Sequence, residues 1–432
     1  MKVLMFGWEF PPHISGGLGT ASYGLTKGLY AIGGVEILFV VPKAYGDEDQ
    51  TMVKVLGASN VNVRRYFKQF ESLRRSMEFL EVESKIVPYS DPDDFWRLKR
   101  KEVSSDRWYL QTDEEGRLSF SGKYGDDLMD EIARYALVAS VIAAENDFDI
   151  IHAHDWLAYP AGIAAKEVSG KPLVIHVHAT DFDRSRGNVN PAVYAIEKRG
   201  MEMADMIIAV SNLTRNTIIE KYHIPPEKVV TVYNAVEPLQ FRRERMGKKN
   251  VPEKIVTYLG RITLQKGPEY FVEAAVRVLQ KMDNVRFVMA GSGDMMHKMV
   301  SLAARERIAD HFHFTGFLKG DEVYRMLSIS DVYVMPSVSE PFGISPLEAL
   351  QSDVPVIISY QSGVAEVLTH ALKVNYWDID AMADAIYGVL NYPALTKMFR
   401  KYGKEEVNQL KWENSARQVK MIYETLLNRE KP

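Results

Sequence analysis

The residue types that can do chemistry gather at a few places in the sequence. In the second half, Ser337-Val338-Ser339-Glu340-Pro341-Phe342-Gly343-Ile344-Ser345-Pro346-Leu347-Glu348 sets two carboxylates eight positions apart. Glu340 precedes a proline, which holds it extended at a strand exit. Ser345-Pro346-Leu347-Glu348 reads as a capping box with proline at the first helical position, so capping is a structural role open to Glu348 beside a functional one. Gly343, Ile344 and Ser345 stand at the helix entrance, where backbone amides can meet a phosphate. Upstream, Leu259-Gly260-Arg261-Ile262-Thr263-Leu264-Gln265-Lys266-Gly267 places two cations on a loop that follows an apolar run and opens a helix. Arginine forks onto two phosphate oxygens and lysine acts as a point charge. Such a pair suits a departing diphosphate. The plain alternative is two solvated surface cations.

The first half holds two further constellations. Gly7-Trp8-Glu9-Phe10-Pro11-Pro12-His13-Ile14-Ser15-Gly16-Gly17-Leu18-Gly19 lies between an apolar run and a helical stretch. Gly16 and Gly17 there either form a plain turn or let the backbone approach a phosphate at a helix N-terminus. The spacing is not G-x-G-x-x-G, because Ser22 stands where the last glycine belongs, and this removes most support for a nicotinamide cofactor. His152-Ala153-His154-Asp155-Trp156 and His176-Val177-His178 are two His-x-His pairs at strand ends. Each pair shares one strand face. No later carboxylate–histidine cluster completes a metal set, so the reading is metal-free. His152 and His176 are expected as buried strand histidines bonded to backbone. His154, Asp155 and His178 sit where open α/β sheets hold ligands.

These residues need elements to position them. Short β-branched runs alternate with helix-period stretches along the 432 residues. The runs are 3–6, 37–41, 150–153, 173–177, 207–210 and 229–232, then 255–259, 286–290, 313–315, 332–335 and 355–358. Strands apolar on both faces, each followed by a helix, form parallel sheets covered on both sides. The length calls for two domains. A charged, proline-bearing stretch over 237–252 marks the break. The expected division is 1–240, 241–400 and a helical 401–432, with 401–432 packing back on the first domain. An insertion of about 43–125 interrupts the first. Its aromatics, Tyr66, Phe67, Phe70, Phe95, Trp96, Trp108, Tyr109 and Phe120, serve acceptor binding or a decorated surface.

Composition narrows the class. There are no cysteines, so disulfides, thiolate nucleophiles and cysteine-bound zinc are excluded. A net charge of −4 with mixed signs gives no basic patch for nucleic acid or a membrane surface. The N-terminal apolar run is too short for a signal segment, and no stretch reaches the ~20 apolar residues of a membrane span. A cytoplasmic location is expected.

Taken together, Ser15-Gly16-Gly17-Leu18, His152–Trp156, Gly260-Arg261 through Lys266-Gly267, and the pair Glu340 and Glu348 resemble the glycosyltransferases of the glycogen synthase and family-4 type. The resemblance covers nearly the whole chain. It implies the α/β GT-B fold, two Rossmann-like doubly wound domains facing across a cleft. It implies configuration-retaining transfer from a nucleotide diphosphate sugar, by front-side attack, with no metal and no cofactor. By position, Glu340 would bind the donor sugar hydroxyls and Glu348 the ribose. Arg261 and Lys266 would hold the diphosphate, and Gly16 and Gly17 would approach it. His178 resembles the histidine whose carbonyl lies near the anomeric carbon. His154, Asp155 and Trp156 resemble the acceptor-side loop.

The chain departs from the bacterial ADP-glucose pattern in two places: Ile14 replaces a lysine, and Glu348 is present. This is closer to family 4 and leaves ADP and UDP both open. Tyr124-Gly125-Asp126 and Trp156 look synthase-like, so an α-1,4-glucan is the expected acceptor, with another glycan or a small molecule as the alternative. Asp91-Pro92-Asp93-Asp94 reads as a turn. A nucleotide-sugar epimerase and a catalytically silent sugar-binding module are the competing classes. A phosphorylase would need a pyridoxal lysine, and Lys266 sits instead on a phosphate-type loop.

Overall fold

The structure is a computed structural model that describes residues 1–14, 16–66, 112–125, 127–238 and 249–429. The aromatic residues Phe67, Phe70, Phe95, Trp96, Trp108 and Tyr109, the Asp91–Asp94 turn, Ser15, Asp126 and the middle of the 237–252 stretch lie outside them.

The chain divides into two compact units: Met1–Asp181 with Asn188–Asn234 and Trp412–Pro432, and Phe182–Gly187 with Ala235–Lys411. This differs from a single cut at 240/241 in three respects, the first being that the boundary falls at Asn234/Ala235. Phe182–Gly187 belongs with the later residues, and 401–411 stay with them too, so only the last helix joins the first unit.

Unit 1 is a seven-stranded parallel sheet in the order β3-β2-β1-β4-β5-β6-β7. Its strands are β1 (Lys2–Phe6), β2 (Glu36–Val41), β3 (Lys54–Gly57), β4 (Ile150–His154), β5 (Leu173–Val177), β6 (Met206–Ala209) and β7 (Val229–Thr231). Every residue of β4, β5 and β6 is buried, as expected of strands with helices over both faces. The helices are α1 (Gly17–Ile32), α2 (Leu128–Glu145), α3 (Tyr159–Ser169), α4 (Pro191–Met203) and α5 (Asn212–Tyr222).

Unit 2 is a six-stranded parallel sheet in the order β10-β9-β8-β11-β12-β13. Its strands are β8 (Lys254–Leu259), β9 (Val285–Ala290), β10 (Phe312–Gly316), β11 (Val332–Met335), β12 (Val356–Ser359) and β13 (Leu372–Val374). The helices are α6 (Pro268–Leu279), α7 (Met296–Arg305), α8 (Asp321–Ile329), α9 (Ser345–Gln351), α10 (Ile379–Asn391) and α11 (Pro393–Val407). The core lies under α6 and α10, around Phe271, Phe287, Val334 and Ile386.

The last helix, α12 (Trp412–Arg429), packs on α1 of unit 1. Gly24 makes the close crossing possible, since a Cβ there would come within 2.2 Å of the Trp412 ring. In each sheet the strand order reverses once, between β1 and β4 and between β8 and β11. Doubly wound sheets bind ligands at the carboxyl ends of the strands that flank such a reversal. The apolar runs of the sequence all became strands. β3 and β13 were not expected: both are short edge strands, partly exposed and carrying a lysine.

Candidate active site

In unit 2 the two strands at the reversal lie side by side, with Val332 opposite Val256 and Tyr333 opposite Thr257. One loop leaves β8 at Gly260 and reaches α6 through Gly267. The other leaves β11 and reaches α9. Gln265 staples them together: its carbonyl accepts from Val338 N–H at 2.9 Å, and its Nε2 donates to Ser339 O at 3.0 Å. Gly267 has φ 60°, and a Cβ there would meet the Pro336 carbonyl at 2.4 Å, so only glycine lets the two loops touch.

This apposition brings Lys266 onto Glu340. The ammonium donates to Oε2 of the carboxylate, and the two side chains keep 19% and 9% of their exposure. Ser337 Oγ donates to the same oxygen at 3.2 Å. The Glu340 backbone is pinned as well. Its N–H donates to Gln361 O and its carbonyl accepts from Gly363 N–H, both at 2.9 Å. A charged pair at this depth contributes little over apolar residues, yet losing one partner strands the other. Arg261 heads the same loop, its carbonyl held by the Tyr258 hydroxyl at 2.7 Å. Lys266, Glu340, Ser337, Gly260 and Ser345 line one cleft.

Glu348 does not cap its helix. The helix begins with Ser345 itself, so Ile344 is the cap residue, and no side chain caps this end. The Ser345 hydroxyl instead shares a 2.9 Å hydrogen bond with Tyr333. The capping box is thus out of register by one residue. The Glu348 carboxylate makes no hydrogen bond or ion pair among the described residues, and burial pushes its pKa up to about 7. Gly343 lies against the Glu340 side chain. With Ile344 it forms the uncapped entrance to α9.

Unit 1 carries the remaining candidates. Gly16 precedes α1 in an extended conformation with no side-chain cap, and Gly17 is the first helical residue. A Cβ at either glycine would meet nothing within 4 Å. Among the described residues, packing therefore does not require glycine at these two positions.

The four histidines form a ladder at the ends of β4 and β5, where His154 is the register partner of His176. Their rings stack nearly parallel: His152 on His154 and His176 on His178, each with centroids 4.4 Å apart. The expectation that His152 and His176 bond to backbone is not met. His152 Nδ1 pairs with the Tyr423 hydroxyl of α12, His154 Nδ1 lies 3.0 Å from His178 Nε2, and both nitrogens of His176 are buried without a partner. Nitrogens of His152, His154 and His176 come within 4.8 Å of one another. Near-parallel rings, however, send their lone pairs side by side, whereas a tetrahedral metal needs them to converge. Burial holds all four neutral, with His178 lowered to about 3. His154, Asp155 and Trp156 keep at most 6% exposure, so in this structure they are buried groups and not an open surface. Asp155 has φ 62°, and its N–H donates to His176 O at 2.9 Å, which ties the β4 exit to β5.

Gln265, Ser337 and Tyr258 are site residues that the sequence reading missed. Uncharged residues in a loop carry no spacing signal, although all three flank the cations and carboxylate that were singled out.

Two family models match the chain, "Glycosyl transferases group 1" over residues 241–406 and "Glycosyltransferase Family 4" over residues 123–239. An uncharacterised glycosyltransferase, MJ1607 of Methanocaldococcus jannaschii, is 26% identical over 98% of this chain and 98% of its own length. A glycogen synthase of Mycobacterium tuberculosis is 24% identical over 98% of this chain and 94% of its own. In fold, the Anabaena protein HepE, solved in complex with UDP and glucose, aligns with TM-score 0.66 at 14% identity, covering 98% of this chain and all of that one. The chain belongs to the family-4-type glycosyltransferases and has the GT-B fold. It is therefore a sugar-transferring enzyme. Among the described residues no helix is long and apolar enough to cross a membrane.

Proposed function

We propose that the protein transfers glucose, with retention of configuration and without a metal, from ADP- or UDP-glucose to the end of an α-1,4-glucan. The observation that carries this reading is the largely buried Lys266–Glu340 pair at the β8–β11 reversal, a cation and a carboxylate held together over a small cleft. Glu340 accepts hydrogen bonds from the sugar hydroxyls. Lys266 and Arg261 hold the diphosphate, and Gly343, Ile344 and Ser345 add their uncapped helix entrance. Glu348, which has no side-chain partner among the described residues, accepts from the ribose hydroxyls. Gly16 and Gly17 give the phosphates room at the start of α1.

In the reaction the bond from the anomeric carbon to the β-phosphate oxygen breaks, and its electron pair leaves with the nucleoside diphosphate. The acceptor hydroxyl attacks the same face, and its proton passes to the departing β-phosphate oxygen. Lys266 and Arg261 stabilise the charge that grows there, which is where a preorganised cation accelerates most. The His178 carbonyl steadies the anomeric centre. His154, Asp155 and Trp156 shape the acceptor side.

Support for a glycan product comes from the full-length likeness to a glycogen synthase, and support for a nucleotide donor from the likeness in fold to a protein that binds UDP and glucose. A second reading, another donor sugar or a small acceptor, is favoured by Ile14 and by relatives at 23–27% identity named as a 2-deoxystreptamine N-acetyl-D-glucosaminyltransferase, an alpha-D-kanosaminyltransferase and a D-inositol 3-phosphate glycosyltransferase. The test is a nucleotide-release panel of ADP-, UDP- and GDP-sugars, each with and without glycogen, with the product anomer read by NMR. Glycogen-dependent release of ADP or UDP and an α-linked product are expected. An inverted anomer, or conversion of the donor alone into an epimer, overturns the proposal.

A further inference from the structure

The segment Phe182–Gly187 belongs to unit 2, while its chain neighbours on both sides count with unit 1. It closes on itself, with Gly187 N–H donating to Phe182 O at 3.0 Å. Its base is fixed by Asp181, whose N–H donates to Glu197 Oε2 at 3.1 Å and whose carboxylate accepts from Asn190 N–H at 2.5 Å. Two side chains reach out from this pinned loop. Arg186 forks: Nε donates to Leu264 O at 2.8 Å, and Nη2 to Glu269 Oε1 at 2.6 Å. Its guanidinium also lies 5.7 Å from the centre of the Tyr270 ring. Asp183 accepts from Ser339 Oγ at 2.5 Å.

These contacts fall on either side of the reactive pair. Leu264 and Glu269 bracket Lys266, and Ser339 is the residue before Glu340. Arg186 also adopts φ 51°, a left-handed conformation unusual for a side chain of this size, and such a conformation persists only where surrounding contacts over-determine it. The contacts here are the fork and the ring. None of the segment's residues belongs to the set that would touch donor or acceptor, so the strain and the charged bonds are explained by what they hold in place.

We infer that Arg186 and Asp183 are positioning residues: they clamp the Lys266 loop and the Glu340 loop from one side, as Gln265 staples them from within, and so fix the distance between ammonium and carboxylate that the donor must enter. The inference rests on the proposed donor site and deepens it. Lysine cannot replace Arg186, because a point charge cannot reach a carbonyl and a carboxylate in the fork geometry. Loss of the clamp lets both loops wander, which weakens alignment in the transition state more than ground-state binding.

The test compares wild type, Arg186→Ala, Arg186→Lys, Glu269→Gln and the double variant Arg186→Ala/Glu269→Gln. UDP and ADP serve as binding probes, and kcat and KM are measured with the nucleotide sugar that wild type turns over. Arg186→Ala is expected to lower kcat about 10- to 100-fold while KM and nucleotide affinity change less than about threefold, because one charged hydrogen bond in a positioned site is of that order. Arg186→Lys should not rescue it. The double variant should be no worse than Arg186→Ala alone, since both remove one contact. Thermal unfolding separates a folding defect from a kinetic one. A full loss explained by a collapsed melting temperature, rescue by lysine, or additive losses in the double variant each overturns the inference. If wild type turns over no nucleotide sugar, the proposed function fails first; if wild type is active and Arg186→Ala equals it, only the clamp fails.

Discussion

The histidine ladder makes unit 1 acid-sensitive, and the size of the effect follows from the structure. His152, His154 and His176 are buried, and desolvation together with their mutual proximity holds them well below the usual histidine range; His178 falls to about 3. Among the described residues they meet one another, the Tyr423 hydroxyl and the Phe39 ring. In the unfolded chain each titrates near 6.5. Between the folded and unfolded values the unfolded chain binds more protons, so stability is intact above about pH 6.5 and is lost as pH falls. Between pH 7.5 and 5.5 each histidine that stays neutral in the fold removes about 1 kcal/mol, so the ladder removes a few kcal/mol. That is a large share of the ~5–15 kcal/mol that holds a domain folded. Ordinary carboxylates do not titrate in this window, but Glu348 of unit 2, raised to about 7 by burial, does and stabilises that unit as pH falls, so the ladder's slope is read in a Glu348→Gln background. Asp130, raised to about 6 by burial, also opposes the ladder, but it is half-exposed and offsets under about 1 kcal/mol. Urea unfolding at pH 7.5, 6.5 and 5.5 reads the slope directly. His176→Asn should reduce it by about a quarter, because one of four titrating groups is gone. An unfolding free energy that stays flat across the window, or a variant slope equal to that of wild type, would refute the neutral ladder.

Three other predictions concern the site. Lys266→Ala is expected to reduce kcat by about 100- to 1,000-fold and also to destabilise the protein by about 3–5 kcal/mol, because it strands the Glu340 carboxylate; Lys266→Met/Glu340→Gln should regain most of the stability and none of the activity, as checked by melting curves beside turnover. Glu348, at about 7 in the free protein, must be ionised to accept ribose hydroxyls, so nucleotide affinity should fall about tenfold per pH unit below 7 and lose that dependence in Glu348→Gln, as titration calorimetry at pH 5.5–8 would show. Gly17→Ala has open space and should leave the melting temperature unchanged while raising KM for the donor, whereas Gly267→Ala, at φ 60° and facing the Pro336 carbonyl, should lower the melting temperature.

The sequence was informative where a single residue type carried both position and chemistry. Runs such as Ile255–Leu259 and Val332–Met335 are apolar on both faces and became the strands at the reversal. Glu340 and Lys266, 74 positions apart, were each marked by a turn signal beside a charge, and they meet. What spacing could not reveal was long-range pairing between ordinary residues. Arg186 finds Glu269 across 83 positions, and Asp183 finds Ser339 across 156. Each looks like a surface charge when read along the chain. The misplaced capping box has a local cause. Helix entry depends on backbone geometry at one residue, and here the Tyr333 hydroxyl, brought over from β11, takes the serine that would have capped.

Departures from folding economy fall at corresponding places in the two sheets. Unit 2 has a largely apolar core, yet at the exits of β8 and β11 it keeps a largely buried ion pair, a half-buried carboxylate that has no partner among the described residues and a left-handed glycine that holds two loops together. Apolar side chains in place of that pair would fold at least as well. In unit 1 the stacked histidines sit at the exits of β4 and β5, beside the β1–β4 reversal, where aliphatic residues would pack without acid sensitivity. Polar groups that folding does not need, gathered where strand order reverses, are what a ligand site requires of its scaffold. Removing both members of the pair should therefore cost the fold little as it abolishes transfer. The Lys266→Met/Glu340→Gln pair tests this directly, because a merely structural ion pair would have no transfer to lose.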